Sequence, residues 1–456
     1  MRVKALPLLI AMALVSNVPA KSGPTPEVLA RRAISPHTFE SLPAIAELRK
    51  LGPKGLDLLF QVYGEQITRL SAQSQRERAS DPEWQRLTDA LDRVSQQRDS
   101  YASRLYWHTD LEQAMAAARA SGKPILSLRL LGNLTDEFSC ANSRFFRSIL
   151  YANTTVSAFL RENFVLHWKS VRPAPRVTID FGDGRKIERT LTGNSIHYVL
   201  DADGGVLDAI PGLYGPAAFL KALDQALSAF RSSSGKPGEA REASLRDYHK
   251  AAMESIFAEF RADIIRAGAR LNPRFFTIET DASAPPPNAL QAAPRAMTKM
   301  VAETKTLKSI GIVDPLLVLP QSDGVRERVL ASLRPESDMT EWVKIAALRA
   351  VDSRLDASSI ALIRSQYPSM APGDAAMSRI LQNLEYYLAI DTVRNEFMHA
   401  NLHAWLIDGS LSQDVERLNE RVYTGFFLTP RSDPWLGLLS PDTYTGLVDG
   451  GIVRDR

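Results

Sequence analysis

The chain of 456 residues is 45% apolar and 23% charged, which is typical of a folded globular protein and excludes the disordered and fibrous classes. Its length exceeds that of one ordinary domain, so two or three domains are expected. The 55 basic and 52 acidic residues give a net charge of +3, and such a near-neutral chain has no electrostatic tendency to bind nucleic acid or anionic membranes.

Residues 1–20 have the pattern of a secretory signal peptide. A basic start, "MRVK", precedes the apolar run "ALPLLIAMALV", and small residues stand at Val18 and Ala20, before the expected cleavage point. The apolar run is too short to cross a bilayer. We therefore expect cleavage after Ala20 and a mature protein that is exported to the periplasm or the extracellular space, without a membrane span.

The next part of the chain is predicted to change from a flexible N-terminus, residues 21–40, to a helical segment, residues 41–105. In the helical segment apolar residues recur at three- and four-residue spacing, which is the pattern of amphipathic helices. Asp81 is a suitable N-cap there, because Pro82 follows it at the first helical position.

Residues 106–231 alternate between helical and strand-like patterns, which predicts an α/β domain. The runs "KPILSLRLLG" and "FVLHWKSV" are predicted to be strands. The segments "RVTIDFGDGRKIERTLTG" and "SIHYVLDADGGVLDAI" are predicted to be hairpins, each with a glycine-containing turn. An amphipathic helix, "GPAAFLKALDQALSAF", is predicted to close the domain.

The rest of the chain is predicted to be a linker followed by a mainly α C-terminal domain. The linker, residues 232–243, is hydrophilic and rich in Ser, Gly and Pro. Residues 244–456 form the predicted C-terminal domain, because helical periodicity continues to about residue 420.

The α/β domain resembles the thioredoxin-like superfamily over residues 107–231. The resemblance rests on an opening formed by Trp107, Asp110, Leu111 and Ala114, followed by "GKP" and, later, by the hairpin sequence "YVLDADG". It implies a mixed sheet flanked by helices. It also implies that a redox thiol is placed at the N-terminus of the helix that follows a central strand, where free backbone N–H groups and the helix dipole stabilise a thiolate.

The only cysteine of the chain, Cys140, stands at the head of the predicted helix "CANSRFF". The resemblance implies that Cys140 is a nucleophile, that Asn142 and Ser143 lie near its thiolate, and that Ser195 faces it, at the position where the family usually has a cis-proline. On this interpretation the protein is a monothiol thiol–disulfide oxidoreductase whose partner is a protein thiol.

Three departures from the family pattern support an alternative interpretation. Ser143 replaces the second cysteine, so no thiol in the same chain can resolve a mixed disulfide or a sulfenic acid. Ser195 replaces the cis-proline, and a seven-residue loop, "NLTDEFS", precedes Cys140. The alternative is a non-catalytic thioredoxin-like protein that binds or scaffolds another protein, with Cys140 in a structural role. The sequence does not indicate an oligomeric state.

A third interpretation is metal binding by the C-terminal domain. Glu396, His399 and His403 follow one another at spacings of three and four residues, which places them on one face of a helix. Such a set can ligate zinc or another divalent ion. Asp391 and Asp408 flank the segment and would complete the site only through the fold. The sequence predicts no other cofactor.

Overall fold

The computed structural model describes residues 24–271 except 192, the single positions 292, 295, 297 and 298, and residues 336–431 except 368, 369, 371, 372 and 410–413. The predicted signal peptide and the C-terminal tail from residue 432 lie outside the described residues. Within them, no helix combines the length and the apolar character needed to cross a bilayer.

The N-terminal part is a bundle of short helices. They are α1 (Pro26–Ala33), α2 (Thr38–Lys50), α3 (Pro53–Ser71), α4 (Gln75–Ser80), α5 (Pro82–Ser95) and α6 (Ser100–Ser103). As predicted, Asp81 caps α5, where its side chain accepts from two backbone N–H groups. The prediction of a flexible N-terminus over residues 21–40 is wrong from Pro26 onward. Thr25 caps α1, and Ala30 and Ala33 pack into the same apolar core as helices α2, α3 and α5.

Hydrogen bonds join this bundle to the α/β domain. The Arg49 guanidinium, at the end of α2, donates to the carbonyl oxygens of Val94 and Trp107. The indole Nε1 of Trp107 donates to Gln97 Oε1 at 2.8 Å, in a fully buried position. The carbonyl and the indole of Trp107 both bond to residues of the N-terminal helical segment. This segment is therefore packed directly against the sheet.

The α/β prediction is confirmed by a five-stranded mixed sheet. Its strands are β1 (Trp107–His108), β2 (Ile125–Leu131), β3 (Val165–Arg172), β6 (Ile196–Leu200) and β7 (Val206–Pro211). The order across the sheet is β1-β3-β2-β6-β7. Strands β1 and β2 run parallel to β3, whereas β6 is antiparallel to β2 and β7 is antiparallel to β6. The hairpin of β4 (Arg176–Asp180) and β5 (Lys186–Thr190) forms a separate two-stranded sheet.

The central position of β2 follows from its sequence. All seven residues of "ILSLRLL" are buried, as expected for a strand with both neighbours paired and both faces covered. On one face the ring of His197 lies 4.6 Å from Phe146 and 5.0 Å from Phe219, measured between ring centroids. These two aromatics come from the two helical elements that cover this face.

The helices of the α/β domain are α7 (Leu111–Ser121), α8 (Ala141–Phe145), α9 (Thr154–Asn163) and α10 (Pro216–Ser233). Helix α8 continues without interruption into a π-helical turn over Phe146–Tyr151. The predicted linker over residues 232–243 is mostly helical, because α10 ends only at Ser233 and the next helix begins at Gly238. Only four positions between them are not helical.

The prediction of a helical C-terminal region is confirmed for its described part. It contains α11 (Gly238–Ala267), α12 (Glu336–Leu348), a 3-10 turn (Ala350–Ser353), α13 (Ala357–Ser365), α14 (Ala375–Ile407) and α15 (Val415–Gly425). Helix α14 packs on the edge strand β7, and residues of α14 and α15 belong to the same continuous apolar core as the sheet.

The second face of the sheet is covered by α15. Tyr198 of β6 donates to Asn419 Oδ1 at 3.2 Å, and the fully buried Arg129 of β2 pairs with Glu416 at 2.9 Å. These contacts place a helix of the C-terminal region directly against the centre of the sheet.

The backbone comes very close to itself where the sheet domain meets the C-terminal region. A Cβ atom at Gly215 would lie 2.2 Å from the carbonyl oxygen of Asp352, in the 3-10 turn. Gly215 also donates its N–H to Thr392 Oγ1 at 2.7 Å. Only glycine allows this approach, so the junction depends on that residue.

Candidate functional site

Cys140 lies at the start of α8, next to the end of the central strand. Its backbone N–H donates to the carbonyl of Leu131, the last residue of β2, at 3.0 Å. This bond holds Cys140 against the end of β2, so the long loop of residues 132–139 does not move the cysteine away from the strand. Cys140 occupies the N-cap position, and it is 0% exposed.

The other three residues predicted around Cys140 lie close to it. The Sγ atom of Cys140 is 3.1 Å from Ser195 Oγ. Ser143 Oγ donates to the carbonyl of Cys140 at 2.8 Å. The amide of Asn142 donates to the side chain of Asn194, the residue just before Ser195. Cys140, Asn142, Ser143 and Ser195 are all 0% exposed, so this polar group is sealed from solvent.

Helix α15 is one of the elements that cover Cys140. Tyr423 is 1% exposed, and its hydroxyl donates to the carbonyl of Asn194 at 2.8 Å. Burial raises the pKa of this hydroxyl well above its ordinary value, and the neighbouring Cys140 adds to the increase. Arg172 of β3 donates to the carbonyl of Pro430 at 2.8 Å, which anchors the segment after α15 as well. A thiol in this position has no open path to a second thiol.

A second buried polar cluster lies at the edge strand β7, around Asp208. His399 Nε2 is 2.8 Å from Asp208 Oδ1, and His403 Nδ1 is 3.8 Å from the same oxygen. His249, in α11, places its Nδ1 3.0 Å from His403 Nδ1. The ligand atoms of Asp208, His399 and His403 all lie within 4.8 Å of one another.

Two further hydrogen bonds hold the Asp208 carboxylate. Tyr248 donates its hydroxyl to Oδ2 at 2.6 Å, and the backbone N–H of Ala209 donates to Oδ1 at 2.7 Å. Burial alone would raise the pKa of Asp208, but His399, which lies within hydrogen-bond distance of its carboxylate, holds it well below its ordinary value. The carboxylate is therefore ionised although it is 0% exposed.

Two histidines of the cluster, His249 and His403, are neutral at pH 7. Burial lowers the pKa of His249 to about 4. Burial, with His399 adding to the effect, lowers the pKa of His403 well below the ordinary value. A neutral imidazole has a free lone pair on one ring nitrogen, which is the form that binds a metal ion.

Glu396, the third ligand predicted from sequence, is not part of this cluster. It shares α14 with His399 and His403, but its carboxylate pairs with Arg349. Burial raises the pKa of Glu396 to about 7, and Arg349 opposes that increase. Asp391 is also directed elsewhere, since it accepts from the backbone N–H groups at 297 and 298.

The residues that sequence reasoning missed are Asp208 and His249. Asp208 lies 191 positions from His399, and His249 lies 154 positions from His403. No local spacing links them. Helix periodicity identifies the face of α14 that carries His399 and His403, but it cannot identify which strand and which helix pack against that face.

Comparison of the chain with protein-family models, with curated proteins and with solved structures finds no match in any of the three.

Proposed function

We propose that residues 107–231 form a thioredoxin-like domain that acts as a non-catalytic scaffold in an exported protein, with Cys140 as a structural thiol. The strand order β1-β3-β2-β6-β7, with two strands parallel to β3 and two antiparallel strands beyond β2, supports the thioredoxin-like assignment. So does the position of Cys140 at the head of the helix that follows β2.

The observation that carries the scaffold role is the cover over Cys140. In an oxidoreductase the thiolate must reach the disulfide of a substrate, so its sulfur has to be accessible. Here the thiol is 0% exposed, and the chain's own helix α15 occupies the adjoining surface through Tyr423. The surface on which an oxidoreductase would bind its substrate is covered here by the C-terminal region. We therefore infer that the domain serves as a packing surface for the C-terminal region of the same chain.

A second observation keeps the oxidoreductase as the competing function. Ser195 Oγ lies 3.1 Å from Cys140 Sγ, and a hydroxyl at that distance can donate to a thiolate. For this function to operate, α15 has to leave the surface. The two functions therefore differ in one measurable property, the accessibility of the thiol in the native protein.

Alkylation of Cys140 distinguishes the two functions, because it is the only cysteine in the chain. We expect an uncharged alkylating reagent to label the native protein far more slowly than the denatured protein, because the thiol reacts only when α15 opens or the chain unfolds. The Cys140→Ala variant gives the background of the assay. Rapid native labelling, with a pH midpoint below the value of about 8.5 for a free thiol, would refute the scaffold and support the oxidoreductase.

A further inference from the structure

We propose that Asp208, His249, His399 and His403 bind one divalent transition-metal ion of the zinc class, which joins the edge of the sheet to helices α11 and α14. This site goes beyond the proposed scaffold function and does not rest on it, since it shares no residue with the surroundings of Cys140. It also differs from the site predicted from sequence, because Glu396 is absent and two residues from other elements take part.

The positions of the ligand atoms are the first argument. In a tetrahedral zinc site with bonds of 2.0–2.1 Å, neighbouring ligand atoms lie about 3.4 Å apart. In the cluster, Asp208 Oδ1 is 2.8 Å from His399 Nε2 and 3.8 Å from His403 Nδ1. His403 Nδ1 is in turn 3.0 Å from His249 Nδ1. The ligand atoms of Asp208, His399 and His403 all lie within 4.8 Å of one another, so these three residues form the core of the site, and His249 joins it through its contact with His403.

The contact between two imidazole nitrogens is the second argument. His249 and His403 meet Nδ1 to Nδ1 in a buried position, and neither side chain is more than 3% exposed. Without an ion, one Nδ1 atom has to donate to the other. A metal ion accepts both lone pairs.

The charge of the cluster is the third argument. Asp208 carries a fully buried carboxylate, and its ion-pair partners in the described chain are histidines rather than lysine or arginine. An uncompensated charge in the interior is strongly destabilising. A divalent cation bound at Oδ1 would compensate the carboxylate directly.

The surroundings fix the orientation of the carboxylate, as they do in known metal sites. Ligating carboxylates are usually held by further hydrogen bonds, which set their direction. Tyr248 Oη donates to Asp208 Oδ2 at 2.6 Å, which leaves Oδ1 on the side of the histidines. Tyr248 precedes His249 in α11, so one turn of this helix supplies both a ligand and the group that orients another ligand.

The donor set selects the class of metal. Three imidazole nitrogens and one carboxylate oxygen suit Zn²⁺ and its neighbours Co²⁺, Ni²⁺ and Cu²⁺, whereas Ca²⁺ and Mg²⁺ prefer oxygen ligands throughout. Four protein ligands in a buried position make a closed site, which is typical of structural zinc. We therefore expect the ion to stabilise the contact between β7, α11 and α14, and to perform no catalysis.

The test uses the full chain, prepared without a histidine tag, stripped with a chelator and then reloaded with zinc or cobalt. We expect one zinc per chain by elemental analysis after desalting, visible absorption typical of tetrahedral Co²⁺, and a rise in the unfolding temperature when zinc is added. Asp208→Asn and His403→Ala should each lower zinc affinity at least tenfold. Glu396→Gln is the matched control on α14, and it should bind like the wild type.

Two results would overturn the proposal. The first is wild-type protein that retains far less than one zinc per chain and whose unfolding temperature zinc does not change. This measurement needs no variant, so it holds even where a substituted chain fails to fold. The second is a Glu396→Gln variant that loses zinc while Asp208→Asn retains it, which would return the site to the ligands predicted from sequence.

Discussion

Removing one oxygen atom from Tyr423 should make Cys140 easier to label. The Tyr423 hydroxyl donates to the carbonyl of Asn194 at 2.8 Å, with both groups buried. The Tyr423→Phe variant keeps the ring, which packs 5.2 Å from Phe427, and loses only this hydrogen bond. The bond is one of the polar contacts that hold α15 over the thiol.

The expected magnitude follows from the burial of the acceptor. Loss of a hydrogen bond that leaves a buried acceptor without a partner costs about 1–3 kcal/mol. Since about 1.4 kcal/mol changes an equilibrium constant tenfold, the equilibrium between the closed and open positions of α15 should shift roughly 5- to 150-fold. If opening and closing are fast compared with alkylation, the labelling rate should increase by the same factor.

The assay is the rate of alkylation of Cys140 in native buffer, followed by intact mass, together with urea unfolding of the same samples. Tyr386→Phe is the matched control, because Tyr386 lies on α14 with 47% of its surface exposed. Its hydroxyl is not needed to cover the thiol. The reasoning would be refuted if Tyr423→Phe were labelled at the wild-type rate, or if the two variants were accelerated equally.

Three other predictions concern the junction, an ion pair and the mature terminus. Gly215→Ala should lower the free energy of unfolding by about 1–3 kcal/mol in urea, because its Cβ would meet a carbonyl at 2.2 Å. The control Gly64→Ala, with no atom within 4 Å of the added Cβ, should raise it by about 0.5–1 kcal/mol. Burial opposes the ionisation of Glu416, but Arg129 holds the pKa of Glu416 below its ordinary value. The ion pair therefore contributes fully to the free energy of unfolding above the unfolded-state pKa of about 4.3. This contribution is lost as the pH falls through the lower folded-state pKa. The wild type should therefore exceed Glu416→Gln by about 1 kcal/mol at pH 7, and an equal difference at pH 3 would contradict this reasoning. Expression in a secreting host should give a mature chain that begins at Lys21, and an intact mass that retains residues 1–20 would contradict the signal peptide.

The elements of the sheet could be predicted because each has a local signal. The buried run of β2 is bounded by Pro124 and Gly132, and the glycine turns mark the hairpins, so these strands are where the sequence places them. The helix of residues 26–33 was missed because its first residues are rich in proline and charge. Its order comes from two small residues, Ala30 and Ala33, that pack against later helices.

The site was less predictable than the strands, because its partners are distant in sequence. The closeness of Ser195 to Cys140 could be anticipated from the family resemblance, but the presence of Tyr423 above them could not. Periodicity shows that α15 has an apolar face, and it does not show which surface that face covers. The cluster around Asp208 could not be predicted for the same reason, since only the fold brings Asp208 to the histidines of α14.

The separation of Arg129 and Glu416 by 287 positions has a consequence for biogenesis. The groups that shield the only sulfhydryl are synthesised long after it and, in an exported chain, cross the membrane after it. Until the whole of helix α15, including Tyr423, has arrived, a nascent exported polypeptide presents an uncovered sulfhydryl to an oxidising environment. Chains arrested or clipped before that point should be the ones recovered as disulfide-linked dimers, whereas completed chains should remain reduced.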